Sequence, residues 1–118
     1  MSGMVTDALY TAGSTSLITV ADTVISVATP AFLEAIQPTS GTWKGYSATS
    51  LLVMCVTSAI YFSFGTDPVT DGSIGYPQAV GSVEQIKNFA SIKNLKFIRQ
   101  GAVSGAIMIT PFFNNVGH

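Results

Sequence analysis

The feature that most constrains the fold is the apolar segment LLVMCVTSAIYFSF at residues 51–64. It is shorter than the roughly 20 residues that a membrane-spanning helix needs, and it contains Thr57, Ser58 and Ser63. Its β-branched and aromatic side chains are those preferred in strands. The segment therefore predicts a pair of buried β-strands, and we expect no membrane span.

Side-chain alternation indicates a different environment for each of these two strands. Both faces of residues 51–56 are apolar, which is typical of a central strand covered on both sides. In AIYFSFG, residues 59–65, the alternation places Ile60, Phe62 and Phe64 on one face. We expect that face to point into the core.

Short strand-like segments separated by glycine and proline continue along the chain. They are SLITVADTVISV (16–27, with a bulge or turn near Asp22), SVEQIKNF (82–89), LKFIRQ (95–100) and GAIMITPFF (105–113). The segment TPAFLEAIQP (29–38) is expected to hold one short helical turn.

Two further details concern the last strand. Gly101 and Gly105 predict a hairpin turn before it. Pro111 has no N–H to donate, so the strand should lie at a sheet edge or end there. Six or more short strands at this spacing predict an all-β fold, a small antiparallel β-sandwich or jelly-roll-like barrel with an extended N-terminal arm.

The length of 118 residues fits one domain. We predict an N-terminal arm at 1–16, a single β domain at 17–113 and a C-terminal tail at 114–118. The arm has too few apolar residues to offset its ordering entropy within the domain. Val5, Leu9 and Tyr10 are spaced like anchors for a neighbouring subunit.

Charged residues make up only 9% of the chain, against about 25% in a typical soluble domain. An uncharged surface rich in Ser, Thr and Gly is easily desolvated by a partner, so we expect a large interface and a homo-oligomer. The candidate interface residues are Val5, Leu9, Tyr10, Trp43, Tyr46, Tyr76, Phe112 and Phe113.

The basic residues do not predict nucleic-acid binding. Only five Lys and Arg are present and the pI is about 5.5, whereas phosphate binding needs a dense basic surface. Four of them lie between Lys87 and Arg99, where they indicate a solvated face or a patch for an acidic neighbour. We expect no nucleic-acid partner.

No arrangement of residues predicts catalysis, a metal or a cofactor. The only imidazole belongs to His118 at the end of the tail, and Cys55 lies in an apolar run typical of core packing. Asp67 and Asp71 could suggest calcium, but an Asp before Pro or Gly more often supports a turn. We therefore expect a protein that is not an enzyme.

The aromatic residues leave one binding alternative open. A sugar-binding face could be lined by Trp43, Tyr46, Tyr61, Tyr76, Phe112 and Phe113, although core and interface packing are the commoner uses. The loop at 65–79 is the expected site of such weak carbohydrate binding. An exposed aromatic cluster beside Asp67 or Asp71 would favour it, whereas an apolar patch near the arm would favour an assembly role.

The segment VTSAIYFSFGTDPVTDGSIGYPQAVGSVEQIKNFASIKNLKFIRQGAVSGAIMITPFF, residues 56–113, resembles small virion structural proteins of tailed bacteriophages. The shared features are a strand such as YFSFGTD, a Pro/Gly loop, a strand of the G-x-V/L-x-E/Q-x type, LKFI, a glycine turn and a final strand such as AIMITPFF. Several such proteins are head decoration, or cement, subunits with jelly-roll-like folds.

The resemblance implies a capsid decoration protein on the virion exterior, assembled in the host cytoplasm. Its implied partners are itself, as a homodimer or homotrimer, and the major capsid protein. The alternatives are another virion part, such as a tail-tube, head-completion or fibre-base subunit, or a carbohydrate-binding module for host attachment.

Overall fold

The computed structural model describes residues 10–114 of the chain as eight strands and two short helices. In chain order these are β1 (Tyr10–Ala12), β2 (Ser16–Val20), α1 (Pro30–Ile36), β3 (Ser50–Val56), β4 (Ile60–Phe64), β5 (Tyr76–Gln78), β6 (Val83–Lys87), α2 (Phe89–Asn94), β7 (Leu95–Arg99) and β8 (Gly105–Asn114).

The strands form two antiparallel sheets. In the five-stranded sheet, β1 and β2 pair with one side of β8, β3 pairs with its other side, and β6 pairs with β3. The three-stranded sheet has the order β5-β4-β7. The predicted all-β fold is therefore confirmed as two antiparallel sheets.

One apolar core lies between the sheets and is closed by the helices. Its largest fully buried side chains are Phe32, Phe97, Phe113, Ile36, Leu51, Ile60, Ile92, Leu95, Ile107, Ile109, Val20 and Val53. Helix α1 begins with Pro30 at its first turn, where the missing N–H costs no helical hydrogen bond. The two apolar side chains that it buries, Phe32 and Ile36, are one turn apart, so the short helix closes the core with one face.

Strand β8 is an interior strand, so the prediction that Pro111 marks an edge or an end is wrong. Residues 13–15 pass from β1 to β2 opposite this position, and Gly13 donates to the Pro111 carbonyl over 2.7 Å. The nitrogen and carbonyl of one strand residue point to the same side, so the Pro111 nitrogen faces this break. No ladder hydrogen bond is lost, and β8 continues to Asn114.

The predicted hairpin between the last two strands is also wrong. Strand β7 pairs with β4 and β8 pairs with β2 and β3, so residues 100–104 cross from one sheet to the other. Phe97 of β7 and Ile107 of β8 are both buried in the core. The two strands therefore contribute apolar side chains to the same core from different sheets.

The segment 16–27 likewise joins the two sheets. Strand β2 ends at Val20, a bend follows at Asp22, and Ile25 forms an isolated bridge to Phe97 of β7, with backbone hydrogen bonds of 2.9 and 3.0 Å. The turn predicted near Asp22 is confirmed. The chain crosses between layers at that turn rather than continuing one strand.

Strand β4 was predicted to face the core with Ile60, Phe62 and Phe64, and two of these three side chains pack into the core. Ile60 is fully buried and Phe62 is half-buried against the core, but Phe64 is 44% exposed. The buried residue near the strand end is Ser63, whose hydroxyl donates to the Thr66 carbonyl. Phe64 pairs with buried Leu95 and its ring contacts Phe62, so it lies on the predicted face and is exposed at the last position of the strand.

The described part of the predicted arm contributes to the five-stranded sheet. Residues 10–12 form β1 and Ser16 begins β2, although all three β1 residues remain exposed. At the other end of the domain, Asn114 pairs with Tyr10 and is the last residue of β8, not the start of a tail. Residues 1–9 of the arm and residues 115–118 of the tail lie outside the described range.

Candidate functional site

The five-stranded sheet has an outer face that points away from the core, and exposed apolar side chains form a row across it. Leu17 of β2 pairs with Met108 of β8, Met108 pairs with Met54 of β3, and Met54 pairs with Val83 of β6. The four side chains are 64%, 41%, 37% and 53% exposed in that order. We call Leu17, Met108, Met54 and Val83 the apolar row.

Uncharged positions surround the apolar row on the outer face. One neighbouring row is Thr19, Ala106 and Val56, and the row on the other side is Thr110, Leu52 and Gln85. The hydroxyls of Thr15 and Thr110 are 2.7 Å apart and satisfy each other. Among the residues of the five-stranded sheet that point to its outer face, the single charge in the described strands is that of Lys87, at the corner of the face on edge strand β6.

The apolar row follows from the sequence of β3, which is apolar at every position from 51 to 56. Pairing with β8 and β6 makes β3 central, as predicted, and buries Leu51, Val53 and Cys55. The second face was expected to be covered as well, but Met54 is exposed and Leu52 is only half-buried. A face with this composition in contact with water is typical of an interaction surface.

Three of the predicted interface residues come together at the edge of the core. Trp43 stacks on Phe113, with ring centroids 5.0 Å apart and planes at 14°, and Tyr46 packs edge-on against Trp43 at 5.0 Å. Phe113 is only 1% exposed, so it is a core residue and not an interface residue. Trp43 and Tyr46 are half-buried against the same core.

A groove of about 860 Å3 runs beside this aromatic group, between β1 and β2 on one side and α1 with residues 38–43 on the other. Its lining is mostly small, including Gly13, Ser14 and Ala35, with Trp43 at one end. The carboxylate of Glu34 is its charged group, and both oxygens accept hydrogen bonds from Thr39, at 2.8 and 2.9 Å. These bonds lower the pKa of Glu34.

The remaining predicted interface residues lie apart from one another. Tyr76 is 64% exposed on β5 and packs against Phe62, with Phe64 on the far side of Phe62. Phe112 is half-buried and points to the outer face of the five-stranded sheet, while Tyr10 is exposed on β1. Val5 and Leu9 lie outside the described residues.

The acidic residues of the loop at 65–79 have structural partners. Asp71 accepts a hydrogen bond from the Ser73 N–H at 2.9 Å, which lowers the pKa of Asp71 and confirms the interpretation of this residue as a turn former. Asp67 forms an ion pair with Lys96 at 2.7 Å. Within residues 10–114, no group of three His, Cys, Asp or Glu could hold a metal ion.

Cys55 is held as a core residue. Its side chain is fully buried and the thiol donates to the Ser58 carbonyl over 3.3 Å. Burial raises the pKa of the thiol, and the Ile60 N–H opposes this in part. A buried thiol that resists ionisation is a poor nucleophile.

Sequence reasoning missed the apolar row because Leu17, Met54, Met108 and Val83 come from four separate segments and become neighbours only through strand pairing.

No described helix is both long enough and apolar enough to cross a membrane. No family model, curated protein or solved structure matches the chain.

Proposed function

We propose that the protein is a non-enzymatic structural subunit that packs against copies of itself and against a larger protein shell. The observation that carries this proposal is the exposed apolar row on the outer face of the five-stranded sheet, a face whose single charged residue lies at its corner. Such a face loses little hydration when it is covered, so covering it favours association.

The finer proposal is a decoration, or cement, subunit on the exterior of a bacteriophage capsid, with the major capsid protein as partner. A subunit that bridges neighbours needs more than one contact surface. The apolar row lies on the five-stranded sheet, whereas Phe64 and Tyr76 expose aromatic rings on the three-stranded sheet. Surfaces on both sheets support a bridging role better than a single pocket would.

The test is binding to capsids assembled from the major capsid protein of the same virus in the absence of this chain. Titration should reach saturation at a number of copies set by the capsid symmetry, as counted by quantitative gel analysis and cryo-electron microscopy. Capsids of an unrelated virus are the control and should bind none. Binding that never saturates, or that is equal on both capsids, would contradict the proposal.

A second candidate, weak carbohydrate binding for host attachment, rests on the exposed Tyr76 beside Phe62 and Phe64. Aromatic rings can stack on sugars. This function predicts that Tyr76→Ala abolishes binding to a glycan array and leaves capsid binding unchanged. The capsid proposal predicts no glycan binding by the wild-type chain. Other virion locations, such as a tail tube or fibre base, would be identified by locating the chain in purified particles.

A further inference from the structure

We propose that the outer face of the five-stranded sheet binds a second copy of this chain, face to face about a two-fold axis, with the two apolar rows at the centre. This inference rests on the proposed structural function and names the partner of its principal surface. Its test is made in solution without any shell, so the two can fail separately.

The first argument is charge. A two-fold interface sets the same surface against itself, so any dense charge of one sign would meet its like. The apolar row and both neighbouring rows carry no charge. Lys87 lies at a corner, away from an axis through the middle of the apolar row, so the two copies of Lys87 do not meet. The face is therefore electrostatically compatible with its own copy.

The second argument is the order of residues along the apolar row. An axis parallel to the strands between Met54 and Met108 sets Met54 against Met108 of the second copy and Val83 against Leu17. An axis along the row sets each residue against its own copy. Either axis places apolar side chains on apolar side chains, and sheets packed in this way lie about 10 Å apart. The two central residues are methionines, whose flexible side chains fill irregular gaps.

The third argument is size, which sets the strength of the contact. Four strands about 4.8 Å apart, each with about seven residues at about 3.3 Å per residue, give the face a flat area of about 450 Å2. Two such faces bury about 900 Å2, below the roughly 1,200–2,000 Å2 of stable complexes. The dimer is therefore weak in free solution and forms where subunits are concentrated, as they are on a shell.

Sedimentation equilibrium of the purified full chain tests this inference. Over about 1 µM to 1 mM, the range of weak complexes, the average mass should rise from 12.3 kDa toward twice that value. Met108→Lys should weaken dimerisation at least about 10-fold, because it brings unpaired charge into the centre of the contact. Val103→Lys, at an exposed turn outside the sheet, is the matched control and should dimerise normally.

Leu17→Lys is the second variant, since Leu17 is the most exposed member of the apolar row and its change is the least damaging to folding. Both row variants should keep the wild-type circular dichroism spectrum. A chain that stays monomeric at the highest concentration, a trimer, or a dimer unaffected by both row variants would overturn the inference. If a row variant loses capsid binding while the wild-type chain is monomeric, the outer face contacts the shell, and the proposed function stands without this inference.

Discussion

Trp43 and Phe113 stack with their ring centroids 5.0 Å apart and their planes inclined by 14°. Trp43 belongs to the loop that follows α1, and Phe113 lies near the end of β8 with its side chain in the core. Tyr46 packs edge-on against both rings. This contact fixes residues 37–49 against the five-stranded sheet.

Phe113→Ala should lower the free energy of unfolding by about 3–5 kcal/mol, because it leaves a cavity in the core and removes the stacking partner of Trp43. Phe112→Ala is the matched control. Phe112 is the preceding residue, but it points to the outer face and is half-buried. The free energy of unfolding of Phe112→Ala should fall by less than about 2 kcal/mol. Urea denaturation followed by tryptophan fluorescence measures both, and equal losses would contradict the assigned strand register.

Gln78 ties the two sheets together through a buried polar contact. Its side-chain N–H2 group donates to the carbonyls of Val53 and Ser82, both over 3.2 Å, and the residue is 2% exposed. Gln78→Glu should destabilise the fold more than Gln78→Met does. A carboxylate cannot donate to these carbonyls and places a charge in the core, whereas methionine only leaves the carbonyls without this donor.

Thermal unfolding at pH 7 compares the two Gln78 variants. The free energy of unfolding of Gln78→Met is expected to fall by about 1–3 kcal/mol, the cost of unsatisfied buried polar groups. An unchanged Tm for Gln78→Glu would show that the amide is not a donor in the core.

Cys55 should make the fold less stable as the solution becomes alkaline. Burial raises the pKa of its thiol above the ordinary value of 9.0, so the folded chain holds the proton more tightly than the unfolded chain does. That contribution to stability is present below the unfolded pKa and is lost as the pH rises toward the folded pKa.

Denaturation curves from about pH 8 to pH 10, the range in which free thiols titrate, test this. Stability should fall less steeply with rising pH in Cys55→Ala than in the wild type, because the variant lacks the thiol whose pKa is raised by burial. A thiol reagent should also modify the folded protein slowly and the unfolded protein rapidly. Rapid modification of the folded protein would show that Cys55 is accessible.

The pKa of the Glu34 carboxylate should lie below its ordinary value of 4.5, because the carboxylate accepts two hydrogen bonds from Thr39. The bond from the Thr39 N–H has the larger effect and the bond from the Thr39 hydroxyl the smaller. Thr39→Val removes the hydroxyl and keeps the backbone donor. We therefore expect the pKa of Glu34 to rise in this variant while it remains lowered. The stabilising effect is present above the unfolded pKa and is lost as the pH falls through the folded pKa.

A nuclear magnetic resonance titration of the Glu34 side chain measures the effect. Thr42→Val, in the same loop and exposed, is the control and should leave the titration unchanged. A Glu34 pKa that is the same in the wild type and in Thr39→Val would mean that the hydroxyl does not bind the carboxylate in solution.

The sequence could predict where several strands lie, but not which strands pair. Alternation identified β3, β4, β7 and β8, because the period of side chains along a strand is a local property. The placement of β7 and β8 in different sheets depends on which apolar faces meet across the core, and the turn glycines alone do not specify this. The helix α2 was missed because its six residues follow Asn88, whose side chain caps it, directly after a strand.

The candidate surface was partly visible in the sequence. The sequence shows the second apolar face of residues 51–56, and it predicts that this face is covered. Its exposure depends on the absence of apolar partners above Met54 in the described fold, which is a tertiary property. The prediction that both Phe112 and Phe113 lie at an interface is wrong for Phe113. Adjacent residues of a strand point to opposite sides of the sheet, so one of the two rings must face the core.

The central position of β8 determines when the protein can fold during its synthesis. β1, β2 and β3 all pair with β8, and the pairs extend to Tyr10 with Asn114, residues separated by almost the whole domain. β8 is the last of the eight described strands to be synthesised, so the five-stranded sheet can form only once β8 is available. Pairing β1 and β2 with β8 closes long loops, and this makes folding slow. Until then the apolar strand β3 lacks its partner β8, and a chaperone that binds extended apolar segments would meet β3 first.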